Sequence, residues 1–336
     1  MKHFTNLYPY FCSFKNLLLA YRKVKSGSRK NGERAACFFD LENRLLAIQD
    51  SLLDKSYMPD SYRYFQINEP KKRLVSVATV RDRIVHHALV NVLTPLYEPY
   101  FIFDSYANRQ GKGTQAAIQR AQLFVQKNSW FAKFDILKYF DSIDHSILLQ
   151  LLAKRICDKD LLLILERVIA NGGANGKGLP IGNLTSQFFA NVYLDELDKY
   201  VKQTLHVRHY IRYMDDFVLF SPDKDHLKIQ QAALATFLEE QLKLRINPAS
   251  SFLNKAQNGL SFLGVRIFRT QIRTHPKSLK LICAKIRRKN YLLAQGLIGA
   301  DSFIATMNSY YAHLKKYTPN SLKKRIFVRA TVAERL

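Results

Sequence analysis

The sequence is short of acidic residues, and this shortage is the first clue to what the protein binds. Its 336 residues include 27 Asp and Glu against 52 Lys and Arg, which gives a formal net charge of +25 and a pI near 9.9. A positive excess can serve solubility alone. An excess this large more often marks a protein that binds a polyanion, usually nucleic acid.

Cysteine motifs and long apolar runs are also lacking. The four cysteines are scattered without a CxxC pair, which predicts neither a disulfide framework nor a zinc site. This usage is typical of the reducing cytosol, so we expect a cytoplasmic location. No stretch approaches the roughly 18 apolar residues of a membrane span, and the apolar run near the amino terminus is too short for a signal peptide. We therefore expect no membrane partner.

The basic residues are concentrated towards the carboxyl end. Residues 277–336 hold 13 Lys and Arg against Asp301 and Glu334. The densest cluster, on a predicted helix, consists of Lys285, Arg287, Arg288 and Lys289. These side chains are candidate nucleic-acid contacts, and the alternative is a solvated helix face.

Two adjacent acids, Asp215 and Asp216, lie between two short runs rich in aromatic and β-branched residues. Such runs predict strands, so residues 208–220 should form a hairpin with the acids at its tip. Adjacent carboxylates repel each other unless a cation or solvent compensates their charge, and a divalent metal ion is a suitable partner. The alternative is an ordinary solvated turn.

A third acid, Asp135, falls near the end of the predicted strand 130–136 and is the lone acid in an otherwise largely apolar run. The nearby Asp141 and Asp144 start the next helix, where capping explains them. Asp135 with the hairpin acids could hold two Mg²⁺ ions, or Mn²⁺ in their place, about 3.5–4 Å apart for phosphoryl displacement. The β-α-β-β-α-β order of this region predicts a split βαβ arrangement.

The motifs around these acids resemble those of reverse transcriptases. Tyr213-Met214-Asp215-Asp216 resembles the catalytic motif, and the segment from Asp135 to Asp141 resembles the preceding palm motif. Residues 74–89 and 105–116 resemble the finger motifs of the bacterial enzymes. Residues 258–264 resemble the strand that follows the catalytic hairpin. The resemblance thus covers most of the chain, with its blocks in the family's order.

This resemblance implies an α+β right-hand polymerase fold, with fingers, a split βαβ palm containing an antiparallel sheet, and a helical thumb. We expect the amino-terminal segment and fingers in 1–128, the palm in 129–268 and the basic thumb in 269–336, with 157–183 associated with the fingers. The implied activity is RNA-directed DNA synthesis, in which a template RNA, a primer or cDNA strand and dNTPs are bound.

The resemblance also assigns roles to single residues. The catalytic residues it implies are Asp135, Asp215 and Asp216. The metal ligands it implies are Asp135, Ile136, Asp215 and Asp216. Tyr213 and Met214 are implied contacts to nucleic acid. Many relatives carry a lysine just before the Phe-Leu-Gly strand, but residues 247–251 hold none, so no general acid for pyrophosphate is assigned.

Five further residues match positions that surround the incoming dNTP in this family. Phe140 matches the steric gate that excludes a ribose 2′-hydroxyl, and Arg109 and Lys112 match finger residues that hold the triphosphate. Ile181 replaces a glutamine near the nascent base pair, and Gln187 should lie near the template. The alternatives are a core aromatic for Phe140, plain loop charges for Arg109 and Lys112, and a helix-surface role for Gln187.

The block from Leu179 to Gln187 indicates which subfamily of reverse transcriptases the sequence resembles. Its Ile-Gly and Ser-Gln pairs, where group II intron enzymes usually have Gln-Gly and Ser-Pro, resemble reverse transcriptases of diversity-generating retroelements. Those enzymes copy a template-repeat RNA with errors at adenines and work with a small, basic, pentameric accessory variability protein. The alternatives are a reverse transcriptase of antiphage defence or of another retroelement, and a non-catalytic RNA-binding scaffold.

Overall fold

The sequence predicts paired strands over Arg63–Ile67 and Arg73–Val77, and these form a separate two-stranded sheet. β1 (Arg63–Ile67) pairs antiparallel with β2 (Arg73–Val77). The structure is a computed structural model that describes residues 3–26, 40–68 and 72–332. β1 is exposed along its length, whereas β2 buries Ser76, whose backbone N–H donates to the carbonyl of Ile181 at 2.7 Å. β2 therefore supports the backbone just before the helix that begins at Leu184.

Four strands form the sheet that carries the acids. They are β3 (Trp130–Phe134), β4 (His209–Tyr213), β5 (Asp216–Ser221) and β6 (Phe252–Lys255). Their order is β4-β5-β3-β6, so β5 lies between β4 and β3 as the split βαβ prediction requires. β4 and β5 are buried over most of their length, as expected of strands covered on both faces. The ring of Phe134 on β3 stacks on that of Phe217 on β5, with centroids 5.2 Å apart.

The last three strands correct one prediction. The sequence predicts a single strand over Leu260–Phe268, but the chain forms two, β7 (Leu260–Phe262) and β8 (Val265–Ile267), which pair antiparallel. Leu263 and Gly264 both have positive φ, at 48° and 81°, and make the two-residue turn between them. β9 (Ile272–Thr274) completes this sheet beside β8.

Helices account for most of the other regular structure. The α-helices are Tyr8–Cys12, Phe14–Ser26, Leu41–Leu53, Val80–Tyr97, Thr114–Lys127, Tyr139–Ser142, His145–Ala153, Lys159–Ala170, Leu184–Lys199, Lys224–Leu242, Pro276–Ala294, Ala300–Lys315 and Asn320–Val332. The 3-10 turns are Glu98–Tyr100 and Ala256–Asn258, and a π-helical turn spans Tyr200–Thr204. None of the described helices is long and apolar enough to cross a bilayer.

Two helix ends were predicted with different success. The sequence predicts a buried helix over Val80–Leu93 that stops before Pro95, yet the helix runs to Tyr97, and the Glu98 N–H still bonds to the Thr94 carbonyl. Pro95 lies in the last turn, where its missing N–H removes a single hydrogen bond. The expected capping role of Asp144 is confirmed, since its side chain accepts from the N–H groups of Ser146 and Ile147 at 3.0 and 3.2 Å.

The chain divides into two compact units that alternate along the sequence. One comprises Met1–Gly113, Lys133–Val218 and Lys228–Phe252, and the other comprises Thr114–Ala132, Leu219–Leu227 and Leu253–Leu336. In the second unit, the predicted basic helix Pro276–Ala294 is confirmed, and it packs Ile282 and Ile286 against Leu314. The division into fingers, palm and thumb at 128 and 268 stays a prediction.

Candidate active site

The structure brings the three predicted catalytic acids to neighbouring strands. Asp135 follows the last residue of β3, Asp216 is the first residue of β5, and Asp215 lies in the turn between β4 and β5. The turn closes at Met214, whose φ is 57°. Burial raises the pKa of Asp216 to about 6, Lys133 opposes that shift, and the charges of Asp135 and Asp215 reinforce it. Asp135 and Asp215 therefore both lie close enough to Asp216 for their charges to act on its carboxyl group.

Lys133 is the partner that sequence reasoning missed. Its Nζ lies 2.9 Å from Oδ2 of Asp216, and both side chains are largely buried. A signal was available in the sequence, because Lys133 precedes Asp135 by two residues and alternation in an extended chain places both on one face. A lysine thus supplies positive charge to the acid cluster.

A divalent cation fits the chemistry of the site. Oδ1 of Asp216 is buried and accepts no hydrogen bond from any residue that the structure describes. Within 3–26, 40–68 and 72–332, however, no three Asp, Glu, His or Cys side chains form a ready metal site. Carboxylate oxygens are the donors that Mg²⁺ prefers, so Asp135, Asp215 and Asp216 could hold it. The side chain of Ile136 is apolar and buried, so this residue could contribute its backbone alone.

The segment after Leu244 fixes the orientation of Asp135. The Asn247 side-chain amide donates to Oδ2 of Asp135 at 3.2 Å, and the Asn247 backbone N–H donates to the Asp135 carbonyl at 2.8 Å. The backbone N–H of Asp135 in turn donates to Oγ of Ser251 at 3.2 Å. These bonds leave the acid few orientations and place Asn247, a neutral residue, beside it.

A buried ion pair, also missed from the sequence, lies behind the hairpin. Arg212 on β4 and Asp198 on the helix Leu184–Lys199 are fully buried, with Nε to Oδ1 at 2.7 Å and Nη2 to Oδ2 at 2.5 Å. Burial disfavours the charge of Arg212, but the Asp198 carboxylate outweighs it and raises the pKa of Arg212. Arg212 Nη1 donates to the carbonyl of Met214 at 3.2 Å and so holds the turn that carries Asp215.

Arg109 and Lys112 both lie in the irregular 104–113 loop. The Arg109 side chain is 6% exposed, with Nε 2.8 Å from Oε1 of Glu98 and Nη1 donating to the carbonyls of Ile102 and Ser105 at 2.6 and 3.0 Å. Lys112 Nζ donates to the Phe103 carbonyl at 2.9 Å. The buried Arg109 side chain thus joins several backbone carbonyls at the start of the loop. The contacts of Arg109 and Lys112 with a triphosphate stay predictions.

The other predicted dNTP contacts lie in the same compact unit. Phe140 is half-buried, its carbonyl accepts from the Leu179 N–H at 2.8 Å, and its ring meets that of Tyr139 edge-on. Ile181 and Gln187 are half-buried too, before and within the first turns of the helix Leu184–Lys199. Phe140 is therefore not a fully buried core aromatic.

The predicted nucleic-acid contacts fall in both units. Tyr213 and Met214 are half-buried at the hairpin. The basic cluster lies on Pro276–Ala294 in the second unit, where Arg287 and Arg288 are exposed and Lys285 and Lys289 are half-buried. Exposed arginines are available to phosphates, although these contacts stay predictions.

Comparison with known proteins identifies relatives of the chain. Residues 66–267 match the family model described as reverse transcriptase (RNA-dependent DNA polymerase). Protein YkfC of Escherichia coli K12 is 26% identical over 275 residues, which cover 68% of this chain and 72% of YkfC. The group II intron-encoded protein LtrA of Lactococcus lactis is 29% identical over 214 residues, or 60% of this chain and 36% of LtrA. A structure of Candida albicans telomerase with a telomeric RNA fragment aligns with a TM-score of 0.49 and 11% identity, covering 82% of this chain and 60% of that one.

Proposed function

The chain belongs to the reverse transcriptase family, and from that premise we propose that it is a catalytically active, Mg²⁺-dependent RNA-directed DNA polymerase. The right-hand polymerase fold expected from the sequence follows from the same membership. The observation that supports activity is that Asp135 and Asp215 lie near the buried carboxylate of Asp216. A scaffold that had lost catalysis would have no need to keep three acids together at a cost in desolvation.

Each of these acids has a definite part in the proposed reaction. Asp135 and Asp216 hold the divalent ions from adjacent strands, and Asp215 joins them from the turn. When bound, two Mg²⁺ ions, or Mn²⁺ in their place, lower the pKa of the primer 3′-hydroxyl and stabilise the leaving pyrophosphate. Asn247 keeps the Asp135 carboxylate aimed at the site. Lys133 balances the charge of Asp216 before the ions arrive.

Substrate selection is proposed to depend on residues around the acids. Phe140 excludes the 2′-hydroxyl of ribonucleotides, and Arg109 and Lys112 attract the triphosphate. Gln187 faces the template. Template RNA and the growing cDNA are held by Tyr213 and Met214 in the palm, and by the exposed arginines of the basic helix in the thumb.

We further propose that the polymerase serves a diversity-generating retroelement. It would copy a template-repeat RNA with errors at adenines, and a small, basic, pentameric accessory protein would be its partner in mutagenic retrohoming. The support is the segment from Ile181 to Gln187, in which an apolar side chain takes the position of a glutamine near the nascent base pair. An apolar residue offers no hydrogen bonds to fix the nucleotide or the template.

The second candidate is a polymerase of another retroelement, of the group II intron type, or of an antiphage defence system. The similarity to LtrA, named as a group II intron-encoded protein, favours the intron type. The two functions differ in the expected error spectrum. Misincorporation concentrated at template adenines supports diversification, whereas errors spread evenly over the four template bases favour the second candidate.

The direct test is extension of a DNA primer on an RNA template with dNTPs and Mg²⁺. Asp215→Asn should reduce the rate by about a thousandfold or more, equivalent to about 4 kcal/mol of lost transition-state stabilisation. Asp141→Asn, at an exposed acid six residues after Asp135, is the matched control and should extend normally. Full extension by Asp215→Asn would refute the assigned site.

A further inference from the structure

Arg212 contacts the catalytic turn and the 104–113 loop at the same time. Its side chain holds the Met214 carbonyl, while its backbone pairs with the loop as a short parallel bridge to Ser105. The Arg212 N–H donates to the Asp104 carbonyl at 2.9 Å, and the Arg212 carbonyl accepts from the Tyr106 N–H at 3.0 Å. One residue thus anchors the loop's first residues beside the turn that carries Asp215.

Asn191 supplies a second link between the same two segments. Its Oδ1 accepts from Nη1 of Arg212 at 3.1 Å, and its Nδ2 donates to the Ala107 carbonyl at 2.8 Å. Asn191 is buried and precedes Asp198 by two helical turns, so both side chains point to Arg212 from one face of their helix. The oxygen of the Asn191 side-chain amide therefore accepts from the hairpin, and its nitrogen donates to the loop.

The far end of the loop is fixed through the same residues. The Gly113 N–H donates to the Tyr106 carbonyl at 3.0 Å, so the ends of the 104–113 loop are closed next to Arg212. Arg109 and Lys112 lie within this closed loop. Because hydrogen bonds in a buried network are strong and directional, a displacement of the turn moves the loop with it.

We propose that Asn191 and Arg212 are positioning residues that hold the 104–113 loop in register with the turn bearing Asp215 and Asp216, and thereby set the apparent affinity for the incoming dNTP. This inference rests on the proposed polymerase function. Neither side chain reaches the substrate itself, since both are buried. Asn191 acts on the loop through Ala107, and its loss leaves the Arg212 bond to Met214 in place, so the effect of Asn191 appears in KM for dNTP rather than in kcat.

The test compares two variants at Asn191 with a matched control. Asn191→Leu keeps the size and removes both hydrogen bonds, whereas Asn191→Asp keeps the acceptor for Arg212 and removes the donor to Ala107. Tyr210→Phe removes a buried hydrogen bond to the same Asp198, at 2.7 Å, without touching loop or turn. Either Asn191 variant should raise KM for dNTP on the order of tenfold with kcat within about twofold, and Tyr210→Phe should leave KM unchanged.

Hydrogen exchange provides a readout that does not need polymerase activity. In the Asn191 variants, peptides covering 104–113 and 211–216 should both lose protection, whereas in Tyr210→Phe they should not. This result would stand even if the parent protein failed to extend a primer, which would refute the proposed function alone. Equal KM values for the three variants and parent, or unchanged exchange in both peptides, would overturn the positioning role.

Discussion

Nζ of Lys133 lies 2.9 Å from Oδ2 of Asp216, so a lysine is the immediate counter-ion of the acid cluster. The ion pair is largely buried, and burial raises the pKa of Asp216 to about 6 despite the opposing effect of Lys133, with a further contribution from the charges of Asp135 and Asp215. Lys133 therefore offsets part of the repulsion among the acids. It also competes with any divalent ion for the same carboxylate.

Replacement of Lys133 by methionine should separate these two effects. Without metal, Lys133→Met should lower the free energy of unfolding by about 1–2 kcal/mol, because the acids lose their counter-ion. With Mg²⁺ present, the half-saturating concentration for primer extension should fall, because no lysine competes. Thermal unfolding in EDTA and a Mg²⁺ titration of the extension rate measure the two quantities. Lys138→Met, at an exposed lysine, is the control, and a higher Mg²⁺ requirement in Lys133→Met would contradict the competition.

Ile181→Gln should lower the frequency of errors at template adenines. The Ile181 backbone is already anchored by Ser76, so the substitution changes the side chain without releasing the segment. One added hydrogen bond to the nucleotide or template is worth about 0.5–1.5 kcal/mol, which predicts an error rate roughly two- to tenfold lower. Sequencing of cDNA from a defined RNA template gives the spectrum. Ile181→Leu is the apolar control, and an adenine error spectrum in Ile181→Gln equal to that of the control would end the hypothesis.

The acids could be located from the sequence because short-range patterns carry that information. Apolar runs predicted the strands that carry Asp135, Asp215 and Asp216, and the β-α-β-β-α-β succession of elements predicted the split βαβ arrangement that places β5 between β4 and β3. The turn at Leu263 and Gly264 was missed although Gly264 interrupts the predicted strand, because the apolar residues on both sides of the glycine favour one continuous strand.

The partners in the two ion pairs could not be found in the same way, although the spacing of Lys133 and Asp135 does place that lysine on the same strand face as an acid. Arg212 and Asp198 belong to different elements, and only packing of the helix Leu184–Lys199 against β4 makes them partners. Lys133 and Asp216 are 83 residues apart in sequence. Ion pairs of this kind depend on distances in the folded protein, and the sequence contains many lysines and arginines that could pair with each acid.

His86 should make stability fall below neutral pH. Burial lowers its pKa from 6.5 to about 4, and His87 contributes a smaller shift. The unfolded chain therefore takes up a proton that the folded protein excludes between these values, so the loss between pH 7 and pH 5 should be about 2 kcal/mol. Asp195 and Asp216, whose pKa values are raised by burial, act in the opposite direction. The contribution of His86 is therefore measured as the difference in stability loss between the parent and a variant that lacks this histidine.

Denaturant unfolding of the parent and His86→Leu at pH 7 and pH 5 measures this contribution. The variant should lose less stability than the parent on acidification. His226→Leu, at an exposed histidine, is the control and should follow the parent. An identical loss in parent and His86→Leu would show that His86 is not the group responsible.

Reversal of charge at Arg287 and Arg288 should weaken binding to a primer–template and flatten its salt dependence. Both side chains are exposed on the helix Pro276–Ala294, opposite the face that buries Ile282 and Ile286, so the substitutions leave the packing intact. For each phosphate contact that is lost, binding releases fewer counterions from the nucleic acid. The slope of log K against log salt should therefore fall in magnitude by about 1–2 for Arg287→Glu/Arg288→Glu. Fluorescence anisotropy between low and moderate salt measures the slope. Lys228→Glu/Lys243→Glu changes the net charge equally on exposed positions elsewhere. A slope for the arginine variant equal to that of the parent would exclude direct phosphate contact by this helix.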